Sequence, residues 1–323
     1  MILQIAIFVV SIFALSWLSS SLIKTLVALA RYLRWREFII AFFVMGCAAS
    51  LPNLFIDLPA ALQGLAPLAF GDIIGGNLVD LTLILAVLVF FSKKDLSTDS
   101  RMVQGSSIFT FFIAILPIFL IWTGKVTRLD GVILILAYVV YAYWLFSNSK
   151  RFKKSYRETK KESLAAPQQR FVVFLKNILK LVFLIIILIV ASQGVIESAK
   201  YFSESWGISL SLVGIFIVAV ANCFPEAYFG IISARNGEGW MTVGDMMGSV
   251  VTGATLILGI VAVISPFEIG DMSPFLMARI FTVIAAAFFL VVVKTDKKIT
   301  KKEGVLLLSI YVIFLIIEIF IRK

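Results

Sequence analysis

Two carboxylates stand where a lipid-embedded chain has little reason to keep them. Glu226 follows Pro225 well inside one apolar run, and Asp80 lies well inside another. Ionisable groups at membrane depth are costly and by default functional. No Lys or Arg occurs at matching depth in the four runs that carry this polar set, so a structural ion pair does not account for them. Ser50, Asn53, Asn77, Asn222 and Ser249 add neutral oxygen-bearing side chains on the same segments, and Asp57 follows Asn53 by one helical turn on the same face. This inventory suits a hard cation, because calcium takes roughly six to eight oxygens from carboxylates, amide or backbone carbonyls and water. Two carboxylates balance one divalent ion or two monovalent ones, so one pocket can alternate between the two loads. Protons compete as well, since a carboxylate taken out of water favours its neutral form. The candidate ligands are therefore Glu226, Asp80, Asn53, Ser50, Asn77, Asn222, Ser249 and Asp57. Asp72 and Asp245 are read instead as helix-start residues that stabilise an N-terminus.

Other chemistry is excluded by what the chain lacks. It contains no histidine, which removes imidazole acid–base catalysis, a Ser-His-Asp triad and imidazole metal sites. Two cysteines cannot build a zinc cluster or a disulfide framework. Cys223 would suit a softer divalent metal, although a small buried apolar residue is the simpler reading.

The elements that must position these residues are membrane helices. Of 323 residues, 61% are hydrophobic and 15% charged, at a mean hydropathy of +1.03. Soluble chains run at about 45–50% apolar and about 25% charged. Hydrophobic runs break near 31–36, 63–67, 92–101, 124–130, 148–170, 203–207, 235–240, 266–273 and 294–303, which predicts ten spans. Segment 2–22 has no basic residues before it and no small-residue cleavage site, so it reads as a true first span rather than a signal peptide. If the N-terminus is outside, the inward loops hold 21 of the 29 Lys and Arg residues, and the positive-inside rule then places both termini outside. With its charge confined to loops, the net +10 implies no nucleic-acid partner. Lys150–Arg170 is the one long polar stretch. It reads as a cytosolic topogenic linker, with anionic-lipid or regulatory contact as the sharper alternative, since each clustered basic residue gains about 1 kcal/mol near such a surface.

Segments 48–85 and 221–258 are alike. Pro52 and Pro225, Gly64 and Gly237, Gly71-Asp72 and Gly244-Asp245, Gly75 and Gly248, and the Thr-Leu-Ile-Leu runs from Thr82 and Thr255 all match at one offset of 173 residues, without a gap. With five helices per half the second copy crosses the membrane in the opposite sense. The division is then 1–149 for the first repeat, 150–170 for the linker and 171–323 for the second repeat. The fold class expected is an all-α polytopic membrane protein of ten helices in two inverted five-helix repeats, which points to a secondary transporter with its site where the halves meet. Pro52 and Pro225 interrupt their helices and free carbonyls that lipid cannot satisfy. The Gly71/Gly75 and Gly244/Gly248 spacings bring helices close. Asn53 matches Glu226 and Gly253 matches Asp80, so each half gives one carboxylate.

At AASLPN with GDIIGGN, and at ANCFPE with GDMMGSV, the chain resembles the sodium/calcium exchanger family, whose alpha repeats read roughly G-T-S-x-P-E and G-N-x-x-G-S-N. The resemblance implies ten helices with inverted halves, termini outside, and alternating-access antiport with calcium and sodium competing at the midplane. It places the family's acidic centre on Asn53, Asp80, Glu226 and Gly253, and its hydroxyls on Ala49, Ser50, Gly76, Asn222, Cys223 and Ser249. The chain departs from the pattern at Asn53, Gly253 and several hydroxyl positions, and Asp replaces Asn in both Gly-Asn pairs. The function expected is a secondary active antiporter, not an enzyme, moving calcium or another divalent cation against sodium or protons with no bound cofactor. Its setting is the plasma (inner) membrane of a prokaryote-like cell, and its partners are inorganic cations and membrane lipids. The alternatives are a cation-binding relative that does not transport, and an intramembrane aspartyl protease built on Gly71-Asp72.

Overall fold

The structure is a computed structural model that describes residues 1–32, 50–149, 167–235, 237 and 239–321. The first half contains α1 (Ile2–Tyr32), α2 (Leu51–Leu62), α3 (Ala66–Phe91), α4 (Arg101–Leu120) and α5 (Arg128–Ser149). The second contains α6 (Pro167–Trp206), α7 (Leu210–Arg235), α8 (239–264), α9 (Leu276–Lys294) and α10 (Lys301–Ile321). Among the described residues nine helices are long and apolar enough to cross a membrane, and α2 adds a shorter apolar helix. Helix limits fall at or within a few residues of the expected breaks, except that α2 is described from Leu51 and the expected start of the second span, over residues 33–49, lies outside the described residues. The expected linker falls, over residues 150–166, outside the described residues, and Pro167 already opens α6.

Two small antiparallel pairs tie the halves together. β1 (Leu96–Ser97) pairs with β4 (Lys298–Ile299), and β2 (Lys125–Val126) pairs with β3 (Phe267–Glu268). Because α4 separates β1 from β2, the two pairs sit at opposite ends of the bundle. Each joins a strand of one half to a strand of the other, as an inverted repeat requires. The β1–β4 pair is reinforced by Lys298 on Asp95 at 2.8 Å, which pushes the Lys298 ammonium above its ordinary value.

The repeat extends beyond its sequence-legible core. At the start of α5, Asp130 Oδ2 accepts from the Thr127 backbone N–H at 2.8 Å and its hydroxyl at 2.7 Å. At the start of α10, Glu303 Oε2 accepts from the same two groups of Thr300 at 2.7 and 2.9 Å. Both are capping boxes, in which the acid three residues on satisfies an otherwise unpaired N-cap donor.

α1 and the long α6 lie along one another, with the Ser198 hydroxyl donating to the Gln4 carbonyl. Their outer faces carry Phe13, Trp17, Phe183 and Val190, all exposed and apolar, as lipid contact demands. At the centre α3 is buried almost throughout, packed against α7, α8 and α9. Gly71 and Gly75 make this possible. A Cβ on either would come within 2.6 Å of a backbone oxygen of α7, at Ser211 and Ile215 respectively. Among the described residues Gly244 and Gly248 meet no such neighbour.

Candidate cation site

The site is assembled from α2, α3, α7 and α8, and each is irregular where it matters. α7 is interrupted at Cys223, and Pro225 sits in the first turn of the helix that resumes at Phe224. Ser50 forms the turn that opens α2, with Pro52 in its first turn. Both prolines thus occupy places where a missing N–H costs nothing, and the irregular residues are the ones just before them.

Three π-helical segments, absent from the sequence reading, complete the pattern at Asp80–Ile84, Gly214–Val218 and Thr252–Ile257. The first and third match under the repeat, as do the hydroxyls that accompany them. Thr82 donates to the Leu78 carbonyl and Thr255 to the Val251 carbonyl, each at 2.5 Å. Such bulges turn side chains out of helical register and cluster at functional sites. Asp80 opens one bulge, and its repeat mate Gly253 lies in the other.

Asp57, Asp72, Asp80 and Glu226 are buried, at 0, 1, 3 and 4% exposure. They form a string through the bundle. The Asp57 and Asp72 carboxyls face each other within hydrogen-bonding reach. The Asn222 amide donates to Asp72 Oδ2 at 2.6 Å. The Asp80 carboxyl lies beside Ser249 and Cys223, and within electrostatic range of Asp72, Glu226 and Asp245. Asn77 is buried with its amide oxygen facing Gly253, 3.5 Å from where a Cβ would stand. Ser50 and Asn53 occupy the face of α2 that carries Asp57, two turns and one turn earlier, and no described side chain bonds to either buried oxygen.

One expectation is corrected here. α3 begins at Ala66 and α8 at Gly239, so Asp72 and Asp245 lie well inside their helices and cap neither. Asp72 belongs to the polar string, and its signal in the sequence was the acidic replacement of Asn in both Gly-Asn pairs. Cys223 is a small buried residue of the apolar core, as expected, and it also lies beside Asp80, with its Sγ 3.8 Å from the Gly76 carbonyl oxygen.

No cation of the protein answers these acids among the described residues. The four ion pairs there lie at exposed positions on other carboxylates. Buried Arg279 donates to the Ile121 carbonyl at 3.0 Å, at the far end of α4. Among the described residues ten buried side-chain polar atoms have no hydrogen-bond partner, and eight of them are Ser50 Oγ, Asn53 Oδ1, both Asp57 oxygens, Asp72 Oδ1, Asn77 Nδ2, Asp80 Oδ1 and Glu226 Oε2. Buried polar groups are nearly always satisfied, so this concentration marks a place built for a polar or charged guest. Among the described residues no three Asp, Glu or Cys side chains already converge as a closed metal cage.

A family model described as "Sodium/calcium exchanger protein" matches residues 3–147 and 176–320. Curated relatives include the sodium/calcium exchanger MaX1 of Methanosarcina acetivorans, 24% identical over 94% of this chain and 95% of that protein. The inner membrane protein YrbG of Escherichia coli is 22% identical over 98% and 96%. Among solved structures, an H+/Ca2+ exchanger CAX superposes with a TM-score of 0.76 at 16% identity, covering 97% of this chain and 82% of that one. The sodium-calcium exchanger NCX_Mj superposes at 0.61 with 19% identity and 97% coverage of both. With the family model covering both halves, the chain belongs to the sodium/calcium exchanger protein family.

Proposed function

We infer that the chain is a secondary active antiporter that binds calcium, or another divalent cation, between its two halves and exchanges it for sodium or protons by alternating access. The observation that carries this is the concentration of unpartnered buried oxygens around Asp57, Asp72, Asp80 and Glu226, with no protein cation among the described residues to neutralise them. Asp80 and Glu226 supply the charge, and Asn53, Asn77, Asn222, Ser50, Ser249 and Asp57 the remaining oxygen-bearing groups. The relatives frame the counter-ion. MaX1 is a sodium/calcium exchanger, whereas ChaA of Bacillus subtilis, 22% identical over 82% of this chain and 78% of that one, is a Ca2+/H+ antiporter.

The division at the basic linker, with the β1–β4 end facing the cytosol, belongs to the same reading. That end carries Lys93, Lys94, Arg101, Lys294, Lys297, Lys298, Lys301 and Lys302. Two adjacent carboxyls also suit acid–base hydrolysis, but transport accounts for Asp57 and Asp72 without it, in keeping with the family match over both halves.

The test is calcium flux in proteoliposomes under an imposed sodium gradient, then under a proton gradient. Flux under one gradient, lost in Asp80→Asn and Glu226→Gln, is expected and names the counter-ion. No flux under either, with both variants binding calcium like wild type, would overturn the assignment. The absence of acids at Asn53 and Gly253 favours one second reading, binding without transport, which calorimetry would reveal as tight calcium binding beside zero flux.

A further inference from the structure

Cys223 is one of two cysteines in the chain and sits at the interruption of α7, buried against the acidic string. Its Sγ is 3.8 Å from the carbonyl oxygen of Gly76, the acceptor of the thiol, and the Asp80 carboxyl lies beside it, next to Ser249 as well. Glu226 follows three residues later and lies within electrostatic range of both Cys223 and Asp80. A sulfur and a backbone carbonyl are therefore in contact, with a carboxyl and a hydroxyl beside them. Asp80 Oδ1 and Glu226 Oε2, each on a side chain more than nine-tenths buried, have no partner there. Cys223 packs among apolar core side chains, and its thiol also lies beside a carboxyl that has an oxygen to spare.

We propose that Cys223, with Asp80, Ser249 and the Gly76 carbonyl, forms a mixed sulfur–oxygen subsite that admits thiophilic divalent cations of the zinc–cadmium type to the transport pathway. The inference rests on the cation-binding reading of Asp80 and Glu226 and deepens it by naming the substrate class. Oxygen-only sites select hard ions such as calcium, and a thiolate shifts preference toward softer ones. Binding is a substitution at sulfur. The S–H bond gives way to an S–metal bond, and the thiol proton passes to the buffer. No oxidant or reductant enters.

Cadmium chloride is the probe, titrated into the full-length protein in detergent in a Cys47→Ser background, which leaves Cys223 as the sole sulfhydryl. The sulfur-to-cadmium charge-transfer absorption should appear, saturate at one ion per chain, and vanish in Cys47→Ser/Cys223→Ser. Cadmium should displace bound calcium at a concentration at least about tenfold lower with Cys223 than with serine in its place. Should the serine variant fold poorly, Asp80→Asn in the Cys47→Ser background keeps the sulfur and must move the cadmium midpoint upward. An absent band, an unchanged cadmium-to-calcium preference, or an unmoved midpoint in Asp80→Asn would each overturn the proposal. Its failure is separable from that of the antiport reading. Calcium flux without a sulfur band removes only the subsite, and a sulfur band without flux removes only transport.

Discussion

At the scale of single residues, the acids of this protein are defined by what surrounds them. Asp57 and Asp72 face each other in a fully buried position with no described basic group against them. α2 and α3 pack against α6 and α9, whose nearest cations are committed elsewhere, Lys200 to Glu197 and Gln63, and Arg279 to Ile121. Ionised carboxylates only accept hydrogen bonds, so contact between two of them needs a proton or a metal ion between them. An amide in place of one supplies a permanent donor. Asp57→Asn is therefore expected to be more heat-resistant than wild type in cation-free detergent, by the equivalent of about 1 kcal/mol, and to gain less from added calcium. Thermal unfolding followed by intrinsic fluorescence reads both effects. A variant that melts earlier and still responds fully to calcium would show that the pair takes no part in binding.

At the scale of elements, irregular helices do the positioning. A regular helix buries its carbonyls in its own ladder and offers lipid-depth ions nothing. The interruption before Pro225, the turn before Pro52 and the bulges at Asp80 and Thr252 each disturb that ladder beside a polar side chain. Close packing holds these disturbed segments in place. Gly75→Ala would press a Cβ into the Ile215 backbone of α7, and overpacking of this kind costs about 1–3 kcal/mol. At its neighbour Gly76 no described atom lies within 4 Å of where a Cβ would stand, so Gly76→Ala should express and melt like wild type. Equal melting temperatures for the two variants would mean the α3–α7 contact is looser than described. The matched capping boxes give a symmetric check. Thr127→Ala and Thr300→Ala should each cost about 1 kcal/mol, read as a fall in melting temperature.

At the scale of the whole molecule, inverted symmetry exchanges the two ends while leaving them chemically different. The β1–β4 end is rich in lysine and arginine. Both termini lie at the other end, since α1 begins beside the C-terminal part of α6 and α10 starts at β4. A charge bias of this size sets topology, so a cysteine replacing Lys125 should react with a membrane-impermeant maleimide in intact cells. One replacing Lys297 should react only after permeabilisation. The reverse pattern would invert the orientation without touching the site.

Much of this was legible from the chain alone. Most span limits, the order of helices, the repeat and the polar residues at membrane depth follow from composition and spacing, because lipid forces every backbone polar group into local helical pairing. A run of about 20 apolar residues can do little else. The site's own geometry was not legible in the same way. That Asp72 turns toward Asp57 and Asn222, that Cys223 reaches Asp80, and that Asp80 opens a bulge depend on how α2, α3, α7 and α8 cross. Those contacts join residues remote in sequence, and no local propensity encodes them. Side-chain chemistry and hydropathy determined that this protein is a membrane chain carrying acids at depth, whereas packing between its halves decided which of those acids meet.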